Sequence, residues 1–423
     1  MDKEKSINKK NYDWVIVGSG IAGIVICEIL TRMGHSVLLI EKNKKLASET
    51  TRDFHEWIHT GALYTLIPDN LYTLKFLLGS IDDLLEFYSD FDNMNLIRTE
   101  KGLKIKKTKN GWFNDNHIYF KFKVRNRKIT FPWLFGIARS SYLLDIIKNH
   151  DWLRRRAGEV NPFKLKIKPI FKYFIKLLRY KKKFFEVKTS DFTANSRNIL
   201  NDLINNSIKN GLKISLDNEF INFSKNKNSY FITCKKNKFE SKNIVFTNGA
   251  NISKVIDANV KLSYAPIAIV NNLPSNQKSY VELDYFPKNC INIIAKENGI
   301  GQIGGISFSD INKCDTYLEK VIQEHKIYNP KMKVLHKYNG IKAEIIIKNQ
   351  PRNYLYHILD IDENVYGIIP GKFTLGFSIA PEFYRKIYKK NPVKIVNNIQ
   401  TKDANNLMSN TVWQDVYNNN NNN

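Results

Sequence analysis

The chain has 423 residues, 43% of them hydrophobic, and carries 66 Lys and Arg against 40 Asp and Glu. That length exceeds one compact α/β unit and suffices for two lobes with a sizeable core, while the charged start, the lack of any run approaching a membrane span and four scattered cysteines (Cys27, Cys234, Cys290, Cys314) without a C-x-x-C pair argue against a secretory signal, a spanning helix, a zinc site or a redox dithiol. A reduced, cytoplasmic protein is expected, and because Lys, Asn and Ile are abundant throughout, the net charge of +26 does not by itself imply a partner.

The first element is a short β-type run at residues 15–17, inside WVIVGSGIAGIVICEILTRMGHSVLLIEKN at residues 14–43. It ends in G-x-G-x-x-G at Gly18, Gly20 and Gly23 and passes into an apolar helix; a second run at 37–40 then leads into Glu41. A strand that ends this way leaves the amides of the helix start pointing outward, with the positive end of the helix dipole behind them, which suits a pyrophosphate. Gly18 permits the tight turn, Gly20 lets phosphates approach the backbone beside Ile21 and Ala22, and Gly23 lets the helix lie close on the strand. Glu41 can accept both hydroxyls of an adenosine ribose and would repel a 2′-phosphate, so NADP is disfavoured. The alternative is a buried βαβ unit with an incidental acid, but the flanking strands and the spacing to Glu41 favour an adenine dinucleotide, either FAD or NAD.

The stretch SETTRDFHEWIHTGALYTL, from residue 48, mixes hydroxyl residues, two histidines and a tryptophan in a loop suited to ligand contacts, Thr50 and Thr51 among them, and Lys42 beside Glu41 is a further candidate for the cofactor. Helical spacing follows in DNLYTLKFLLGSIDDLLEFYSDF, and β-type runs follow around residues 100–130. Residues 151–188 hold thirteen basic residues against three acids, and KPIFKYFIKLLRYKKKFFE sets Phe171, Phe174, Ile175 and Leu178 on one helical face with Lys172, Lys176, Arg179 and Lys183 on another. Residues 164–183 thus read as a basic amphipathic helix, first of all one packed on its own domain with a solvated basic back; lying on an anionic membrane surface, which would make the protein peripheral to the membrane, and contact with RNA are the alternatives. Beyond it come a helix, a Gly211 cap, a strand and a β-meander ending in FTNGA, with Thr247 and Gly249 where a returning strand would pass the dinucleotide. Further β-type runs occupy 262–310. VYGIIPGKFTLGFSIAPEFYRKI then runs from strand through Pro370 and Gly371 to a helix near Leu375 or Gly376, and the Asn-rich residues 403–423 are expected to be disordered.

This order of pieces resembles the D-amino-acid-oxidase-like family of FAD-dependent oxidoreductases over most of residues 12–390. IHTGALY at 58–64 is similar to the I-H-S-G-x-Y-Y loop of L-2-hydroxyglutarate oxidase-like members, and NGIKAE and IIPGKFTLGFSIA resemble their late segments. The resemblance implies an α/β fold with a discontinuous Rossmann-type FAD-binding lobe (12–98, 189–260 and 340–390), a second antiparallel-sheet α+β substrate lobe (99–150 and 261–339) and FAD as cofactor. It also implies hydride transfer from a substrate α-carbon to flavin N5, with Gly371, Lys372, Phe373 and Thr374 at the flavin's N1–C2=O region.

For a small 2-hydroxy acid, His59 could take the hydroxyl proton, since its reference pKa near 6.5 suits a base at neutral pH; His55 competes for the role, and covalent attachment of one of them to the flavin is a third option. Where the family commonly places an arginine after the glycine corresponding to Gly340, this chain has Lys342, which supplies charge without the planar fork; Arg352 could restore it, and Tyr264 and Tyr354 are further hydroxyl donors. No second dinucleotide fingerprint for NAD is present, so electrons would pass to oxygen or a quinone. The leading expectation is an oxidase or dehydrogenase of small 2-hydroxy or amino acids. The alternatives are a tRNA-modifying flavoprotein, with nucleic acid the less favoured partner, and a non-redox flavin sugar-nucleotide mutase, for which arginines are too scattered.

Overall fold

The computed structural model describes residues 11–61, 64, 72–99, 102–123, 184–256, 259–285, 289–346, 355–394 and 406–421. The basic stretch 164–183, Arg352 and Tyr354 lie outside the described residues. Among the described residues, no helix is long and apolar enough to cross a membrane.

Strand β1 (Asn11–Val17), helix α1 (Ile21–Arg32) and strand β2 (Val37–Ile40) form the expected crossover unit, with β1 and β2 parallel in the register Trp14↔Val37 to Val17↔Ile40. The apolar sequence of α1 has no polar face because it has no wet side: it packs on the helices Ser196–Lys209 and Gly376–Tyr388 as well as on its own strands, and only Arg32 escapes full burial. Its one acid, Glu28, is fully buried and compensated by Arg32 at 2.6 Å and by the Asn206 amide at 2.7 Å. The sheet runs, from edge to edge, His357–Asp362, Val365–Ile369, Lys238–Phe246, β1, β2 and Lys213–Ser215, with the meander strands Ser229–Cys234 and Phe220–Asn226 branching from Lys238–Phe246. The returning strand Lys238–Phe246 lies parallel to β1, as FTNGA suggested, so Thr247 emerges beside Gly18.

A second eight-stranded sheet has the order Lys333–Ile345, Val260–Asn271, Gly301–Gly305, Asn289–Ala295, Tyr280–Tyr285, Phe113–Lys123, Phe184–Ala194 and Trp57–Ile58. It is antiparallel except where Tyr280–Tyr285 pairs parallel with Phe113–Lys123. The molecule is therefore a mixed α/β fold of a Rossmann-type unit and a second sheet lobe. The strand memberships cut across the segment boundaries expected from sequence: Trp57–Ile58 pairs with Phe184–Ala194, so the loop after β2 crosses into the second sheet and carries residues 55–59 between the lobes.

The C terminus also differs from expectation. Residues 412–421 form a helix rather than a disordered tail. Thr411 and Gln414 cap it reciprocally, and Val412, Trp413, Val416 and Tyr417 pack against Ile269, Ile300, Leu335 and Tyr338. The Asn run hides an apolar face that is enough to dock the helix.

Candidate functional site

A cleft runs from the fingerprint turn to the Gly371 segment, lined at one end by Gly18, Gly20, Ile21, Ala22, Glu41 and Lys42 and at the other by His59, Lys342, Gly371, Lys372 and Phe373. The three glycines of the fingerprint sit in different surroundings. Gly18 has φ +102°, and a Cβ on it would sit 2.8 Å from the Thr247 carbonyl oxygen. On Gly23 a Cβ would sit 2.0 Å from the Gly18 carbonyl oxygen, so this glycine sets the contact between helix and turn and does not itself line the cleft. Gly20 alone is open: only Thr51 Oγ1, at 3.2 Å, lies in the direction of its missing side chain. Gly376 brings a third close approach, since a Cβ there would meet Ile21 Cγ1 at 2.6 Å; its glycine lets the late helix start against α1 rather than against a ligand.

Glu41 is buried and already committed. Its Oε2 accepts from the Ser19 amide at 3.1 Å and the Ser19 hydroxyl at 2.6 Å, and its Oε1 from the Asn43 amide at 2.8 Å and side chain at 2.9 Å. The carboxylate thus braces the fingerprint turn besides facing the cleft, and a ribose must share it or displace one of these donors. Glu41→Ala should weaken FAD binding by about 1.5–3 kcal/mol, the usual loss for a charge-assisted hydrogen bond; titration of apoprotein with FAD checks this, and unchanged affinity would show that Glu41 does not bear on the dinucleotide.

The two threonines expected to touch the cofactor line the cleft but spend their hydroxyls on protein. Thr51 Oγ1 accepts from the Ile21 amide at 3.0 Å, capping α1, and Thr50 Oγ1 donates to the Ile341 carbonyl at 2.7 Å. Thr247 Oγ1 donates within reach of the Val17 and Gly18 carbonyls, at 3.0 and 2.7 Å, and Gly249, with φ +54°, begins the short helix at the cleft wall. Lys42 pairs with Glu49 at the surface. Thr374 lies off the cleft: its Oγ1 accepts from the His59 amide at 2.9 Å and its carbonyl from Ser80, which ties the histidine loop to the start of the late helix.

At the far end His59 is stacked on Trp57 at 4.4 Å and meets Tyr64 edge-on at 5.4 Å, while Lys372 Nζ stands 4.7 Å from the Tyr64 ring centre. Burial holds His59 down to about 4; Asp191 opposes that shift, and Lys372 and Lys342 reinforce it. The ring is therefore neutral at physiological pH and a weaker base than its reference value suggested. His55 is pushed further, to about 3, by burial and then by Lys296, and its Nε2 has no partner among the described residues. Lys342 is not an open carboxylate clamp, because its Nζ pairs with Glu344 at 3.0 Å. Tyr264 lies on Val260–Asn271, paired with Ile341 and bridged to Phe308, and is not part of the cleft wall.

Two acids that sequence reading passed over organise this end. Asp191 is fully buried and accepts from Trp57 Nε1 at 3.0 Å and from the Thr60 amide and hydroxyl at 2.8 and 2.6 Å. Glu56, in the left-handed region at φ +58°, accepts from the Ser196 amide and hydroxyl, from Trp413 Nε1 at 3.1 Å and from Lys296 Nζ at 2.6 Å. Neither had a local signal that marks a buried, multiply bonded acid: Asp191 sits in KTSDFTA and Glu56 in DFHEWI.

The residues present fit an adenine dinucleotide: an open glycine at the start of a buried helix, a carboxylate at the end of the second strand, and buried cleft-lining polar atoms, Asn248 Oδ1 and His55 Nε2, that have no partner among the described residues. Residues 13–114 match the family model described as FAD dependent oxidoreductase. FAD is the cofactor, and Gly18, Gly20, Ile21, Ala22 and Glu41 line the fingerprint end of the cleft.

Solved structures share the fold over nearly the whole chain. L-α-glycerophosphate oxidase from Mycoplasma pneumoniae, solved with FAD bound, is 15% identical with TM-score 0.60, over 96% of this chain and 100% of that one. Glycine oxidase from Geobacillus kaustophilus is 11% identical with TM-score 0.59, over 92% and 100%. L-proline dehydrogenase from P. horikoshii is 15% identical with TM-score 0.59, over 90% and 95%. No curated protein matches the chain.

Proposed function

We propose that this FAD-dependent oxidoreductase removes a hydride from the α-carbon of a small 2-hydroxy acid or amino acid bound beside His59, with the electrons passing on to oxygen or a quinone. The observation that supports it most is the meeting, at the Gly371 end of the cleft, of a neutral histidine with two lysines, Lys342 and Lys372, that both bear on its charge. When bound, FAD supplies the hydride acceptor. Lys372 favours an anionic group at this end, and the apolar wall of Trp57 and Phe373 excludes water from it. As the α-carbon loses hydride, the substrate hydroxyl or amine loses a proton, and a neutral His59 accepts it while the carbon–oxygen or carbon–nitrogen double bond forms.

The sign of the pH dependence follows from the depressed His59. A base must be unprotonated to act, and His59 is unprotonated above about pH 4. The rate of anaerobic flavin reduction should therefore rise through about pH 4 and stay flat across 6.5; an acid limb near 6.5 would mean that the base is an unperturbed group elsewhere.

Substrate class is tested by following flavin bleaching without oxygen against 2-hydroxy acids, amino acids, N-methyl amines and sn-glycerol 3-phosphate. Bleaching by a hydroxy or amino acid supports the proposal, and no bleaching by any of these compounds refutes it. Bleaching by the phosphate ester alone would favour a second reading, for which the observation is a lysine where a carboxylate fork would need arginine: an ammonium binds phosphate as a point charge. The glycerophosphate oxidase named above acts on such an ester.

A further inference from the structure

We propose that Asp191 is a positioning residue that holds the His59 ring in the tautomer with the proton on Nδ1, leaving Nε2 as the proton acceptor toward the cleft. The inference rests on the reading of His59 as the base. Asp191 sits on the strand Phe184–Ala194, fully buried, and the three donors it accepts from are all neutral: Trp57 Nε1, the Thr60 amide and the Thr60 hydroxyl. Among the described residues, the titratable side chain within ion-pair range of it is His59, whose Nδ1 lies 3.6 Å from Asp191 Oδ2. That separation is just beyond hydrogen-bond length, and His59 Nδ1 has no other partner among the described residues while being enclosed. An enclosed nitrogen facing a carboxylate must carry the hydrogen, since two lone pairs would otherwise face each other in a dry site. A ligand in the cleft can then reach only Nε2.

The same pair explains how so buried a histidine can accept a proton at all. On protonation the ring becomes a cation, and a fixed carboxylate at 3.6 Å compensates it without solvent. The charged and titratable groups that bear on His59 come from every side: Asp191 from its strand, Lys342 from Lys333–Ile345, Lys372 from the turn before the late helix, and His55 from the same loop. Asp191 alone among them is negative. The surroundings also keep the ring from turning away, because Trp57 is stacked on it and is itself tied to Asp191 through Nε1. One carboxylate thus fixes the ring's neighbour, its loop through Thr60 and its proton.

The test uses the FAD-loaded full chain with 15N-labelled histidine, the His59 signals being assigned by their loss in His59→Gln. In the wild type His59 should show the Nδ1–H tautomer at pH 7. In Asp191→Asn it should lose that preference, and its titration should move to lower pH, because the compensating charge is gone. A wild-type His59 in the Nε2–H tautomer, or an unchanged tautomer and titration in a folded Asp191→Asn protein, overturns the proposal. Should Asp191→Asn fail to fold, the double variant Trp57→Phe with Thr60→Val keeps the carboxylate while removing its two side-chain donors: the Nδ1–H tautomer should persist there, and its loss would show that Asp191 acts only through the loop. Kinetics separates this idea from the function it rests on. With the compound that bleaches best in the screen, Asp191→Asn should slow flavin reduction by about 10²- to 10⁴-fold and add no further loss in a His59→Gln background. Full activity in His59→Gln would remove the base itself, whereas a dead His59→Gln beside a fully active Asp191→Asn would remove only the role of Asp191.

Discussion

Glu56→Ala is expected to destabilise the protein by about 3–5 kcal/mol, because it strands a buried ammonium. Lys296 Nζ and the Glu56 carboxylate lie 2.6 Å apart with side chains 7% and 6% exposed, so neither charge has water to fall back on. The carboxylate also collects Trp413 Nε1 from the C-terminal helix and the amide and hydroxyl of Ser196 from the start of another helix. Burial alone would raise Glu56, but Lys296 and Ser196 outweigh it and hold the group down to about 2. The pH consequence has a definite sign. A carboxylate depressed from 4.5 contributes stability that is fully present above about pH 4.5 and is lost as pH falls toward 2, by about 3 kcal/mol over that interval. Denaturant titration of the wild type and Glu56→Ala at pH 7 measures the first effect, and a loss under 1 kcal/mol would show that Lys296 finds other compensation. The same variant should loosen residues 55–59 and so lower the rate of flavin reduction in whatever fraction remains folded.

The second large effect separates two glycines that look alike in the fingerprint. Gly23→Ala places a Cβ 2.0 Å from the Gly18 carbonyl oxygen and 2.8 Å from Thr247 Oγ1. The first of these is backbone, which cannot swing aside, so the helix must lift from the turn; overpacking of this kind costs about 1–3 kcal/mol or more, and FAD binding should be lost with it. Gly20→Ala meets only a threonine hydroxyl at 3.2 Å and should leave the apoprotein's melting temperature nearly unchanged, while its methyl group, set where the phosphates are proposed to lie, should weaken FAD at least about tenfold. Thermal melts and FAD titrations of the two variants check the contrast. A Gly20→Ala protein that binds FAD with wild-type affinity would put the phosphates elsewhere.

What the sequence revealed and what it concealed follow from the range of the interactions involved. The fingerprint is legible because its causes are local: Gly18, Gly20 and Gly23 are fixed by one turn and one helix start, and Glu41 by a strand of four residues. Gly376 could be placed at a helix start for the same reason, although its contact proves to be with Ile21. His59 was identifiable as a residue, yet its basicity was not, since burial and two lysines arriving from positions 342 and 372 set it. Asp191 meets Thr60 across 131 positions of chain, and a lone acid in a β-type run carries no local mark of such a partner. The C-terminal helix had a signal in Thr411 and Gln414 at capping spacing, but the Asn run that follows outweighed it in composition. The Trp413 bond to Glu56 then makes these last residues part of the wall behind the histidine loop.

The central claim is that FAD lies along the cleft from Gly20 to Gly371. Its most direct test is the absorbance spectrum of the purified protein together with the identity of the nucleotide released by acid. The account predicts a yellow protein with flavin bands and one FAD per chain. A colourless protein that takes up NAD and not FAD would contradict it.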